Sequence, residues 1–379
     1  MKTVYHVILD EKFIDNAIAL FDRVPDTVNE YLLASKGGAI SLIRQKDRVR
    51  VFSSHLKRCA YIKKNKPDAV ILHSLSVGAM LAALIPGKRP VVWISWGQDL
   101  YKDSGEPHIA SYPFTHPLFL EETRAWKNAG RGGFVPRAKK WLVTGLKDFL
   151  RARAIPRIGY LSTCLPYEFP LIQKKYPHLR QFLFDYIDDT AFSLDRTDGK
   201  NVIVGNSASL NCNHLDVLSL MAEREIPEGK VIVPLSYAGS KKYRQAVTAR
   251  GKELFGERFV PLDSFMPIEE YTRLIRSCAF AVMGFLRQQA TKNIQLFLYQ
   301  GTKVFFYKDT EIYRFFRDSG YRVFTIEDDL TREGLGSPLG DAETAQNRAL
   351  LERDFSFAKN VENLILSMNT VFEGTARHG

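Results

Sequence analysis

Arg287 has the chemistry to hold a diphosphate. It stands in Gly284-Phe285-Leu286-Arg287-Gln288-Gln289, directly after the apolar run Ala279 to Met283. A guanidinium binds two phosphoryl oxygens at once and stays charged as a leaving diphosphate gains charge. Gln288, Gln289 and Lys292 stand ready to support it. A second turn of the same kind lies upstream, where Val202-Ile203-Val204 empties into Gly205-Asn206-Ser207. Glycine lets a ligand approach the backbone closely, and N–H groups at a following helix start hold anionic oxygens. Asn206 and Ser207 add side-chain hydrogen bonds. Asn213 and His214 either cap the next helix or contact the ligand, and Tyr237 either stacks on a base or packs inside. Two such strand-to-helix turns point to a pocket for a phosphorylated ligand.

A second group of chemical residues precedes these. Asp99 follows the strand-like Pro90 to Ser95 within Trp96-Gly97-Gln98-Asp99-Leu100-Tyr101. Its carboxylate is suited to act as a general base for an acceptor hydroxyl or to hold sugar hydroxyls. Closing a turn is the structural alternative. His73, at the exit of Ala69-Val70-Ile71-Leu72, is the other candidate base, whereas His6 within the first strand reads as structural. No metal site is expected: no Asp-x-Asp stands in a suitable turn, and Asp188-Asp189 and Asp328-Asp329 lie in acidic loops. Cys59, Cys164, Cys212 and Cys278 show no CxxC spacing, so neither zinc nor a disulfide framework is indicated.

The elements that must position these residues alternate along the chain. Short β-branched runs near residues 4–9, 28–33, 49–52, 69–72, 90–95 and 158–162 are separated by helical periodicity, and the pattern resumes from Lys200. Alternation of this kind implies mostly parallel sheets with helices on both faces, and two successive α/β domains. The boundaries read as residues 1–185, 196–345 and a helical tail 346–379, with Phe182 to Asp195 as the linker.

With 379 residues and 45% hydrophobic composition, two domains are expected. No long uncharged apolar stretch occurs, so no membrane-spanning helix is expected. The segment Met1 to Asp10 reads as a strand rather than a signal peptide, which suits a cytoplasmic protein. The net charge of +11 favours a polyanionic neighbour. Much of it gathers in Arg124, Lys127, Arg131, Arg137, Lys139, Lys140, Lys147, Arg151, Arg153 and Arg157, opposed by Asp148 and interleaved with Trp126, Trp141, Leu146 and Phe149. Such a helix suits an acidic membrane surface, or it packs its apolar face on its own domain.

The sequence resembles the bacterial TDP-Fuc4NAc:lipid II Fuc4NAc transferases, which move 4-acetamido-4,6-dideoxygalactose in enterobacterial common antigen synthesis. The resemblance is carried, in order, by His6-Val7, Trp96 to Tyr101, Val204-Gly205-Asn206-Ser207 with Asn213-His214, Val233-Pro234 with Tyr237, Arg287-Gln288-Gln289 and Gln300-Gly301. It implies a GT-B architecture: two Rossmann-like domains facing across a cleft, acceptor-binding first and nucleotide-sugar-binding second. It implies a metal-independent transferase at the cytoplasmic face of the inner membrane, with a TDP- or UDP-sugar donor and a polyprenyl-diphosphate-linked glycan acceptor. It places Trp96 and Gly97 against substrate. The chain departs from the family at Gln98, where alanine is frequent, and at Ala290 to Asn293, which replace a glycine-rich segment. Two other classes compete. A Rossmann oxidoreductase needs Gly-x-Gly-x-x-Gly after the first strand, where Leu9-Asp10-Glu11-Lys12 stands instead. A non-catalytic basic protein for nucleic acid or membranes would fit the charge, but no nucleic-acid-binding module is present.

Overall fold

Strands here are near-continuous apolar runs, as required when both faces of a parallel sheet are covered. A computed structural model describes residues 1–97, 99–101, 115–128, 134–186, 195–225 and 229–376. The chain forms two α/β units: residues 1–105, 130–188 and 355–379, and residues 106–129 and 189–354.

The first unit holds a seven-stranded sheet, all parallel, in the order β3-β2-β1-β4-β5-β6-β7. The strands are β1 (Lys2–Ile8), β2 (Thr27–Ala34), β3 (Val49–Phe52), β4 (Ala69–His73), β5 (Val91–Ile94), β6 (Tyr160–Ser162) and β7 (Arg180–Gln181). The order of strand addition reverses between β1 and β4, so the exits of those strands open the sheet's switch point. Leu72, Val70, Trp93 and Leu161 pack with Ile62, Ala79 and Ala82 in one core cluster. Val4, Ile71 and Val92 pack in another, with Leu20 and Phe21 and with Leu364, Met368 and Val371 of the final helix, Phe357–Ala376.

The second unit repeats the plan with six parallel strands ordered β10-β9-β8-β11-β12-β13. These are β8 (Asn201–Val204), β9 (Val231–Pro234), β10 (Phe259–Leu262), β11 (Cys278–Met283), β12 (Lys303–Phe306) and β13 (Phe324–Thr325). Its switch point lies between β8 and β11.

The units are not contiguous in sequence, unlike the division at 185, 196 and 346. Phe182 and Phe184, read as the start of a linker, are buried in the first unit, because apolar side chains there complete its core. The tail divides: the helix Asp341–Phe355 lies almost wholly in the second unit, and Phe357–Ala376 packs on the first. The helix Thr115–Asn128 joins the second unit, where Asp216 accepts hydrogen bonds from the Thr115 amide at 2.9 Å and from its hydroxyl. The β7 strand has no signal in the sequence, since two residues cannot show a period.

Candidate functional site

In the second unit the two glycine turns lie side by side. Val204 of β8 pairs with Val282 of β11, and the Gly205 amide donates to the Val282 carbonyl at 3.0 Å. Gly205 has φ +68°, and a Cβ on it would come within 2.6 Å of His214 Nε2. Gly284 is equally confined, with Val217 Cγ2 at 2.5 Å and the Cys212 carbonyl at 2.9 Å from a Cβ there. Asn213, itself at φ +50°, ties the turns together by donating from Nδ2 to the Gly284 carbonyl at 2.7 Å.

A polar network spans the turns. Asn206 Oδ1 accepts from Gln289 Nε2 at 2.7 Å, and Asn206 Nδ2 donates to the Tyr237 hydroxyl at 2.9 Å. Gln289 Nε2 also lies 3.3 Å from Cys212 Sγ, and Ser207 is buried against the same sulfur. The Tyr237 ring remains 55% exposed. Gln288 is buried and donates to Thr291 Oγ1, so it supports the turn from within. Thr291 begins the helix Thr291–Gln300, whose N-cap Ala290 is left-handed and provides no side-chain cap. That helix start receives no capping oxygen from its N-cap residue. Arg287 is half-buried beside it and Lys292 is exposed on its first turn. The structure therefore gathers Gly205, Asn206, Ser207, Tyr237, Gln288 and Gln289 around one switch point, with Arg287 and Lys292 on the β11 side. Cys212 belongs to the same network. A lone cysteine without metal spacing offered no way to find it.

His214 is fully buried. Its Nδ1 meets the Tyr243 hydroxyl at 3.1 Å, and Nε2 has no partner. Burial pushes it down to about 3, so the imidazole is neutral near pH 7.

In the first unit Asp99 closes the turn after β5. Its carboxylate accepts from the Trp96 amide at 2.8 Å, Trp93 Nε1 at 2.8 Å and the Leu75 amide at 2.7 Å. The Leu75 bond links the β5 exit to the β4 exit, where Ser74 sits at φ +75°. Arg151 lies 5.4 Å over the Trp93 ring and donates to the Asp99 carbonyl. Gly97, at φ +80°, supplies the left-handed step of this turn. Gln98 lies outside the described residues.

His73 is buried and both its nitrogens are engaged. Asn29 Nδ2 donates to the Phe21 carbonyl at 3.0 Å, which orients the amide and leaves Oδ1 to accept from His6 Nε2 at 3.0 Å. His6 Nδ1 then accepts from His73 Nε2 at 3.1 Å, and His73 Nδ1 accepts from the Tyr186 hydroxyl at 2.6 Å. Trp96 Nε1 donates to the Tyr186 oxygen at 3.1 Å. These tautomers are assigned from the network, and every donor has an acceptor. Burial pushes His6 down to about 4 and His73 well below its usual range. His73 is thus brought to the switch point as part of a buried chain that orients Trp96, with no ring nitrogen turned to solvent. Tyr186, within the region read as a linker, gave no sign of this role.

Among the described residues no helix is long and apolar enough to cross a membrane, and no three His, Cys, Asp or Glu side chains form a metal-holding group. Arg131 lies outside the described residues, as do the side chains of residues 122–142. The helix Phe134–Ala154 exposes Val143, Leu146 and Phe149, with Arg153 5.2 Å over the Phe149 ring.

The two parallel sheets, each with its turns at the switch point, are those of GT-B glycosyltransferases. The chain is similar in fold to Anabaena HepE solved with UDP-glucose (TM-score 0.64, 11% identity, covering 98% of this chain and 100% of that one). A glycosyltransferase from Rickettsia africae has a TM-score of 0.63 at 8% identity, covering 100% and 99%. Sucrose-phosphate synthase from Thermosynechococcus elongatus has a TM-score of 0.63 at 9% identity, covering 100% of both chains. These likenesses show the GT-B fold for this chain. Its residues 185–337 match the model of the 4-alpha-L-fucosyltransferase family, glycosyl transferase group 56, which bears out the resemblance over the motifs within those residues.

Proposed function

We propose that the protein transfers a deoxyamino sugar such as Fuc4NAc from a TDP- or UDP-sugar to a polyprenyl-diphosphate-linked oligosaccharide, in bacterial surface polysaccharide synthesis. One observation carries the donor half of this reading: the paired turns at Gly205 and Gly284 adjoin a helix start without a side-chain cap, beside Arg287 and Lys292. Amide donors and two cations there suit a diphosphate. The HepE complex with UDP-glucose supports a nucleotide-sugar donor on this fold. The match to group 56 supports the sugar class.

In this reading Arg287, Lys292 and the start of helix Thr291–Gln300 neutralise the leaving diphosphate, which makes a divalent ion unnecessary. Gly205 admits the phosphates to the backbone, while Asn206, Ser207 and Gln289 position them. Tyr237 offers an open ring to the base. His214 stands behind Gly205 and holds its turn. On the acceptor side Trp96 and Gly97 contact the glycan. Asp99 positions them through its three accepted bonds, and His73 does so through Tyr186. The exposed Val143, Leu146 and Phe149 with Lys147 and Arg153 suit a peripheral contact with the anionic cytoplasmic face of the inner membrane.

A thermal-shift screen over UDP, TDP, GDP and CMP, followed by transfer assays with the stabilising donor, tests this function. Stabilisation by TDP or UDP is expected. Stabilisation by none of the four, or only by a nicotinamide dinucleotide, would remove it.

A further inference from the structure

Arg58 stands apart from both groups of residues above. It lies in the first turns of the helix His55–Asn65, and its side chain is 1% exposed. Among the described residues no carboxylate forms an ion pair with it. Nη1 donates to the Leu32 carbonyl at 3.3 Å, Nη2 faces His55 Nδ1 at 3.4 Å, and Nε has no partner. Gly78 backs the pair: a Cβ there would lie 2.5 Å from both Arg58 Nη2 and His55 Nδ1. The guanidinium therefore occupies space that only glycine leaves. Burial pushes Arg58 down to about 10, so it remains a cation near pH 7.

A buried cation without a counter-charge is destabilising. Its surroundings add to that cost. The helix start contributes positive potential. Leu32 lies late in β2, Ser54 follows β3, and Gly78 follows β4, so this charge sits toward the carboxyl edge of the first sheet. That edge is where open α/β sheets bind ligands.

We propose that Arg58, with His55 and the amino-terminal turn of helix His55–Asn65, forms a second anion site that takes a phosphate or diphosphate group. An oxyanion supplies the missing counter-charge. It accepts from Nη2 and Nε together and replaces the long contact to His55, which turns aside. The site is in the first unit and does not depend on the donor assignment at Arg287. Two sources share the chemistry: the diphosphate of a lipid-linked acceptor, and free phosphate.

Calorimetry on the full chain saturated with UDP, titrated with inorganic pyrophosphate and separately with farnesyl diphosphate, tests the proposal. Wild type is expected to show one further site per chain. Arg58→Gln should weaken it about tenfold or more, and Arg58→Lys should weaken it less. Tighter binding of farnesyl diphosphate identifies a lipid-linked source, and equal binding identifies the free anion. No pyrophosphate site in UDP-loaded wild type, or undiminished binding in folded Arg58→Gln, overturns the proposal. If Arg58→Gln does not fold, Gly78→Ala serves instead, since its methyl group displaces the guanidinium and should also abolish binding. If UDP itself fails to bind, the donor reading falls, and the titration without nucleotide still decides this site.

Discussion

Single side chains here divide into those that meet ligand and those that hold turns in shape. In the proposed function Arg287 is of the first kind. Arg287→Ala should weaken nucleoside-diphosphate binding by about 1.5–3 kcal/mol, roughly tenfold to a hundredfold, with melting temperature unchanged. Calorimetry with TDP and UDP reads this directly, and undiminished affinity would take Arg287 out of the site. Asp99 is of the second kind. Its carboxylate meets three N–H donors, so Asp99→Asn turns an amide NH2 toward at least one of them. Turnover should fall by about 10²-fold together with a stability loss of about 1–3 kcal/mol, while nucleotide binding survives. A variant that loses turnover without any loss of stability would instead make Asp99 the general base. The buried histidines add a pH dependence. His6 and His214 have folded pKa values depressed to about 4 and about 3, so the unfolded chain binds protons first as pH falls. Their stabilisation is complete above about pH 6.5 and is lost as pH drops from there through 4 toward 3. Melting temperature should decline across that window, less steeply in His214→Phe. A flat profile would show that the rings are charged in the fold.

At the scale of elements, the helix Phe357–Ala376 is last in sequence but central to the first unit. Leu364, Met368 and Val371 are buried against β1, β4 and the helix Ile14–Phe21. Their burial is worth roughly 1.5–3 kcal/mol each, and a domain's whole stability is only about 5–15 kcal/mol. A chain ending at residue 355 should therefore lose its first unit, read as missing cooperative unfolding and rapid proteolysis there, while the second unit still binds nucleotide. Wild-type protease resistance in that truncation would contradict the packing. The helix Phe134–Ala154 behaves in the opposite way, because its middle turns are exposed while Arg151 anchors its end to the Asp99 turn.

For the whole molecule, the proposed membrane contact joins the exposed apolar side chains of that helix to the net charge of +11. Each basic residue near an anionic bilayer contributes about 1 kcal/mol within a Debye length. Changing Leu146 and Phe149 to Ser and Lys147 to Glu should reduce sedimentation with anionic vesicles about tenfold or more, and high salt should do the same. Transfer to a water-soluble acceptor should be little changed, since the Gly205 and Gly284 turns belong to the other unit. Equal vesicle binding by wild type and variant at low salt would leave this helix as an ordinary solvated face.

Period and turn chemistry decided much of this protein in advance. β4, β8, β9 and β11 are apolar runs with small-residue exits, and local sequence suffices to place such strands and the glycine turns that follow them. Adjacency was a different matter. That Gly205 lies beside Gly284, that Cys212 joins Gln289, and that Leu75 bonds Asp99 depend on strand order, which no local pattern encodes. The same holds for His73. Its place at a strand exit suggested a base, but its ionisation is set by burial and by His6, Tyr186 and Asn29, which come from distant segments. Arg58 showed nothing in the sequence beyond one more charge on a basic helix. Only the packing of helix His55–Asn65 against Gly78 removes it from water and leaves it without a counter-ion among the described residues, because solvation and pairing are properties of the folded surroundings rather than of the residue.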